Sequence, residues 1–191
     1  MRSYSRDFRT AEKAAQSVFT WLKAERQRYD FCSSTDVVGS LAVSLEPSVL
    51  FSPKQCQYYK AKAETGGKRY HFNCFFLQNS FRGCALTPDN DASPLALYQE
   101  GSEHFRWCSH ARIILNEDGS SWQWNRGQHK GEWIVRDASR RLLEIESEQP
   151  EVGGMIRLCS PAFLQRIGSR ALMLFFIYLA MGPKRPIPSG F

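Results

Sequence analysis

FRWCSHARIILNEDGSSWQWNRGQHKGEWIVRDASRRLLEIE, running from Phe105 to Glu146, decides the fold. Short apolar runs alternate with turn residues along it, and Trp122, Trp124 and Trp133 crowd together in its middle. Arg112 to Leu115 ends at Asn116, Glu117, Asp118 and Gly119, where Asp-Gly supplies the positive φ that a tight hairpin turn needs. Ser120 to Trp124 returns and puts Trp122 and Trp124 on one face, since side chains alternate along a strand. After NRGQHKG, Trp133 and Val135 share a face, and after DASRR, Leu143 and Ile145 do the same. Consecutive strands joined by short links tend to be neighbours, so these six apolar side chains predict one face of an antiparallel meander.

The same alternation extends upstream. In KRYHFNCFFL, Lys68 to Leu77, Tyr70, Phe72, Cys74 and Phe76 face one way while Arg69, His71 and Asn73 face the other. Thr65, Gly66 and Gly67 precede this run as a turn, and QCQYYKAKAE, Gln55 to Glu64, makes the other arm of a hairpin. Leu41, Val43 and Leu45 alternate in a proline-bounded segment that reads as one strand, and Phe81 to Leu86 continues the sheet after a bend. TPDNDASP, Thr87 to Pro94, is a connecting loop. Met155 to Cys159 follows the turn EQPEVGG as a closing strand.

Helical spacing marks the two ends. Ala11, Ala14, Ala15, Val18, Trp21, Leu22 and Glu25 recur at three and four, which predicts an amphipathic helix from Thr10 to Arg28 with Thr10 as its cap. Its arginines are those of a targeting presequence, but Asp7, Glu12 and Glu25 speak against that use. Ser160 and Pro161 read as the start of a second helix, and Ala171 to Met181 is an unbroken apolar run. That run falls short of the roughly 20 residues of a membrane span, and Arg170 blocks its extension. It reads as a helix packed on the sheet, with peripheral membrane contact as the alternative.

The expected fold is therefore α+β, a mainly antiparallel meander of seven to nine strands closing into a barrel-like sheet between an N-terminal amphipathic helix and an apolar C-terminal helix. The divisions are 1–30 for the first helix, 31–160 for the β domain, 161–182 for the second helix and 183–191 for a flexible tail. The 191 residues suffice for one core without staples. Apolar residues at 42% and charged residues at 23% are those of an ordinary globular domain, which excludes wholesale disorder. The six cysteines form no CxxC pair, no apolar leader precedes Arg28, and no Asn-x-Ser/Thr acceptor occurs, so reduced thiols and an intracellular, cytoplasmic setting are expected.

No catalytic motif emerges. G-x-S-x-G, G-x-x-x-x-G-K-S/T and G-x-G-x-x-G are all missing, and His104, Cys108 and His110 lack the fourth ligand and paired spacing of a structural zinc site. No catalytic residue, metal or cofactor is assigned. The leading reading is a non-catalytic binding protein that holds a small apolar or aromatic ligand in a barrel of lipocalin-like architecture or on an aromatic sheet face. Its expected lining is Trp122, Trp124, Trp133, Tyr70, Phe72, Arg112 and His110. The net charge of +6 supports an alternative, a nucleic-acid or acidic-partner module in which Arg126, Lys130 and Arg136 rim the tryptophans. A second alternative is an enzyme whose site is assembled from His110, His129 and Glu132.

Overall fold

The computed structural model describes residues 18–34, 36–47, 56–77, 80–100, 111–138 and 140–182; for 44–47, 56–60, 75–77, 80 and 81 it describes the backbone alone. Twelve strands form a closed antiparallel barrel. They are β1 (Val18–Glu25), β2 (Arg28–Ser33), β3 (Asp36–Pro47), β4 (Cys56–Thr65), β5 (Lys68–Leu77), β6 (Ser80–Pro88), β7 (Ala96–Gln99), β8 (Ala111–Leu115), β9 (Ser121–Arg126), β10 (Glu132–Arg136), β11 (Arg141–Glu146) and β12 (Gly153–Leu158). Each strand pairs with its neighbours in sequence, and β1 pairs with β12 to close the ring. Closure leaves no free edge.

The meander forms as its pattern requires. Gly119 takes a φ of +66° in the β8–β9 turn, and Trp133 pairs with Ile145 while Val135 lies opposite both Leu143 and Trp124. Trp122, Trp124, Trp133, Val135, Leu143 and Ile145 all point inward and are buried.

At the N-terminal side the expected amphipathic helix is not present where the chain is described. Val18–Glu25 is a strand, Arg26 and Gln27 form a turn and Arg28 opens β2; the part of the expected helix before Val18 lies outside the described residues. Apolar residues at 18, 21 and 22 mimic helical spacing, yet Phe19 and Trp21 are the buried pair, while Val18 and Leu22 face outward. Period two wins because β12 and β2 hydrogen-bond to both edges of this segment. Leu41, Val43 and Leu45 lie on one strand, β3, as expected, and Phe31 to Ser33 just before it end β2, its hairpin partner.

Twelve strands enclose more space than wall side chains can fill, because barrel diameter grows with strand number. The C-terminal segment supplies what is missing. Pro161–Phe163 forms one 3-10 turn that places Phe163 against Trp122, and α1 (Ser169–Met181) follows. Every α1 residue from Ala171 to Ala180 is buried, so the helix has no solvent face. Its rings meet both β5 and β9: Phe175 and Tyr178 touch Phe72, and Phe176 touches Trp122 and Trp124. Its backbone also runs close to β3 and β4. The expectation of a helix packed on the sheet becomes a helix inside the barrel. Small inward residues, Ala61, Ala63, Ala96 and Ala111, make room for it. Gly168 turns the chain inward at a φ of +70°, and a Cβ there would stand 2.6 Å from Leu95. Among the described residues no helix is long and apolar enough to cross a membrane.

Candidate functional site

A cavity of about 290 Å³ lies at the end of the barrel where β4 turns into β5. Ser40 and Ala42 of β3 form one side, Lys62, Ala63 and Glu64 of β4 the floor, and Arg69, Tyr70 and His71 of β5 the other side. Asp89, just after β6, closes it. The register explains the gathering: Ala42 lies opposite Lys62, Lys62 opposite His71, Ser40 opposite Glu64, and Glu64 opposite Arg69. A row of short side chains on β3 beside long polar ones on β4 and β5 leaves a hollow.

Asp89 organises the polar groups. Its backbone N–H donates to the Arg69 carbonyl at 2.9 Å, which fixes the residue at the cavity edge. Its carboxylate pairs with the Arg69 guanidinium at 3.3 Å and with His71 Nε2. A carboxylate on one imidazole nitrogen sets the ring orientation and, in the neutral ring, the tautomer. In that neutral tautomer Nε2 carries the proton and Nδ1 the lone pair. His71 Nδ1 is buried and meets no hydrogen-bond partner among the described residues. Tyr70, buried beside it, has its phenol pushed above the ordinary tyrosine range by desolvation, so it remains a neutral donor. Lys62 is exposed at the rim.

The residues expected from sequence are dispersed. Tyr70 reaches the cavity edge but shares its inward face with Phe72, and both belong to the buried core, where Phe72 meets Phe175 and Tyr178. Trp122 and Trp124 pack on Phe176, and all three expected tryptophans are buried in the core cluster. Base stacking uses exposed aromatic faces, which these rings do not present. Arg112 is exposed on the outer surface between Gln99 and Gln123. His110 lies outside the described residues, as do His104 and Cys108. His129 and Glu132 meet in a turn, where the His129 N–H donates to the Glu132 carboxylate at 3.1 Å. Among the described residues no group of three or more His, Cys, Asp and Glu side chains is placed to hold a metal.

His71, Lys62, Ser40 and Asp89 are the cavity residues that sequence reasoning did not bring together. The polar face of β5 already put Arg69 and His71 side by side, but Asp89 sat in a stretch that read only as a loop. No family model matches the chain, and neither a curated protein nor a solved structure matches it. A closed antiparallel barrel with a buried aromatic cluster is compatible with a ligand-binding barrel.

Proposed function

We propose that this chain is a non-catalytic binding protein and that its ligand occupies the cavity between β3 and Asp89 rather than the barrel interior. The supporting observation is a cavity edged by the charged side chains of Lys62, Glu64, Arg69 and Asp89, beside which His71 Nδ1 is buried without a hydrogen-bond partner among the described residues. Leaving a polar atom so buried costs free energy unless a ligand or water satisfies it. The interior, by contrast, already holds Phe175, Phe176 and Tyr178 of α1 where an apolar ligand would sit.

The chemistry selects a small acid with an apolar or aromatic body. A hydroxyl or amino group lies toward His71, the acid group toward Lys62, and the body rests on Ala42. The volume sits at the lower end for small-molecule sites, which suits a single ring better than a lipid chain. No nucleophile beside a base is part of this reading, so it stays with binding rather than turnover.

Titration calorimetry with a series of hydroxy- and aminobenzoates tests it. The best of these probes should bind the full chain, and His71→Ala should weaken it by about tenfold or more, the scale of one lost buried hydrogen bond. Lys62→Ala should weaken it less and remove part of its salt dependence. Binding indifferent to both substitutions would overturn the proposal.

A further inference from the structure

Cys74 and Cys84 face each other across the β5–β6 ladder inside the barrel, both fully buried. Their Sγ atoms are 2.8 Å apart, closer than unbonded thiols ordinarily approach and nearer to the disulfide length of about 2.05 Å than any other described sulfur contact. Directly opposed residues of an antiparallel pair have Cα atoms about 4.5 to 5.5 Å apart, which falls within the disulfide window of about 4.4 to 6.8 Å. Both side chains leave the same face of the sheet. We propose that Cys74 and Cys84 are an oxidisable pair that closes to a cross-strand disulfide, a covalent staple joining β5 to β6 in the core.

The expectation of reduced thiols follows from the absence of a CxxC spacing and of an apolar leader. Nine residues separate these two cysteines, so only the strand register brings them together. The Tyr178 hydroxyl of α1 lies 3.2 Å from Cys74 Sγ and can donate to that sulfur in either redox state. The helix therefore need not move when the bond forms.

Closure conserves atoms and electrons with a low-molecular-weight disulfide such as glutathione disulfide as oxidant. One cysteine thiolate attacks a sulfur of that disulfide and releases one glutathione thiolate. The second cysteine, as thiolate, then attacks the mixed disulfide, forming the Cys74–Cys84 bond and releasing the second glutathione. Two protein S–H bonds become one S–S bond, and the oxidant is reduced to two thiols. Burial pushes the Cys84 thiol well above its ordinary range, and both cysteines are closed off from an oxidant in the folded barrel. Exchange therefore belongs to the opened or folding chain, and the finished barrel preserves whichever state it closed with.

Unfolding the full chain, refolding it with glutathione disulfide, alkylating without reductant and mapping tryptic peptides by mass spectrometry tests this. Cleavage after Arg69 and Arg82 puts the two cysteines on separate peptides, 70–82 and one beginning at residue 83. The expected result is one linked pair, lighter by two hydrogens than its parts and split by reductant. The linked form should also resist reductant in the folded chain and yield to it once denatured. Recovering the two peptides separately, alkylated or glutathionylated, or finding Cys74 joined to another cysteine, would overturn the proposal.

Discussion

The indole of Trp124 stacks on the ring of Phe176, centroids 5.8 Å apart and planes 27° from parallel, and so couples the barrel wall to the helix it encloses. Phe176 also touches Trp122, Phe163 and Phe175, all of them buried. Removing its ring leaves a hole that neither the closed wall nor the helix can collapse to fill. Phe176→Ala should therefore cost about 3 to 5 kcal/mol of unfolding free energy, the scale of a large-to-small change at a fully buried aromatic. Urea unfolding followed by tryptophan fluorescence measures the loss. A cost below about 1 kcal/mol would mean that α1 does not fill the barrel in solution.

How far the sequence reveals this architecture depends on which interactions decide each element. Asp118-Gly119 and the alternation at Trp122, Trp124, Trp133, Leu143 and Ile145 act locally, so β8 to β11 are legible from the chain alone. Val18–Glu25 is decided by partners 131 to 139 residues away on β12, and its local spacing points to the wrong period. The run Ala171 to Met181 announces burial, yet whether it lies on a sheet or within it depends on the strand count. The cavity was least legible. His71 and Asp89 come together through the β5–β6 pairing, a register that no motif encodes.

Trp21 crosses onto β12 at a position where a side chain would have no space. A Cβ on Gly154 would lie 2.2 Å from the Trp21 ring and 2.7 Å from the Glu146 carbonyl. The indole N–H is held in turn by the Pro150 carbonyl at 3.1 Å, so the ring cannot simply swing aside. Gly154→Ala should destabilise by about 1 to 3 kcal/mol through overpacking. Trp21→Phe in the same chain should recover part of that loss, giving a non-additive double-mutant cycle. Additive costs would show that the clash is relieved through the backbone instead.

Stability should fall as pH rises through the tyrosine range. Burial, reinforced by the charge of Glu100, raises the Tyr98 phenol from 10 to about 12, and burial also raises Tyr29, Tyr70 and Tyr178. Between pH 10 and 12 the unfolded chain gives up these protons while the folded one keeps them, so the unfolded state is favoured as pH rises. Tyrosinate absorbance and thermal midpoints recorded together should show late ionisation and a falling midpoint across that window. Tyr98→Phe should flatten the fall, and an unchanged slope would exclude Tyr98 as a source.

At the β8–β9 turn the acid limb should depend on Asp118. The Ser120 hydroxyl beside it, the Ser120 N–H donating at 2.9 Å, and Arg166 at 3.0 Å together lower its carboxyl from 3.8 to about 2. The same Arg166 guanidinium stands 5.1 Å over the Trp122 ring, so the pair tethers the segment entering α1 to the wall. A depressed folded-state pKa contributes stability that is complete above pH 3.8 and is lost as pH falls through about 2. The difference in thermal midpoint between the native chain and Asp118→Asn should thus be constant near neutrality and vanish toward pH 2. The carboxylate is exposed, so the difference should be small and should shrink with added salt. A difference that persisted unchanged at pH 2 would assign the effect to the turn's amide geometry instead of its charge.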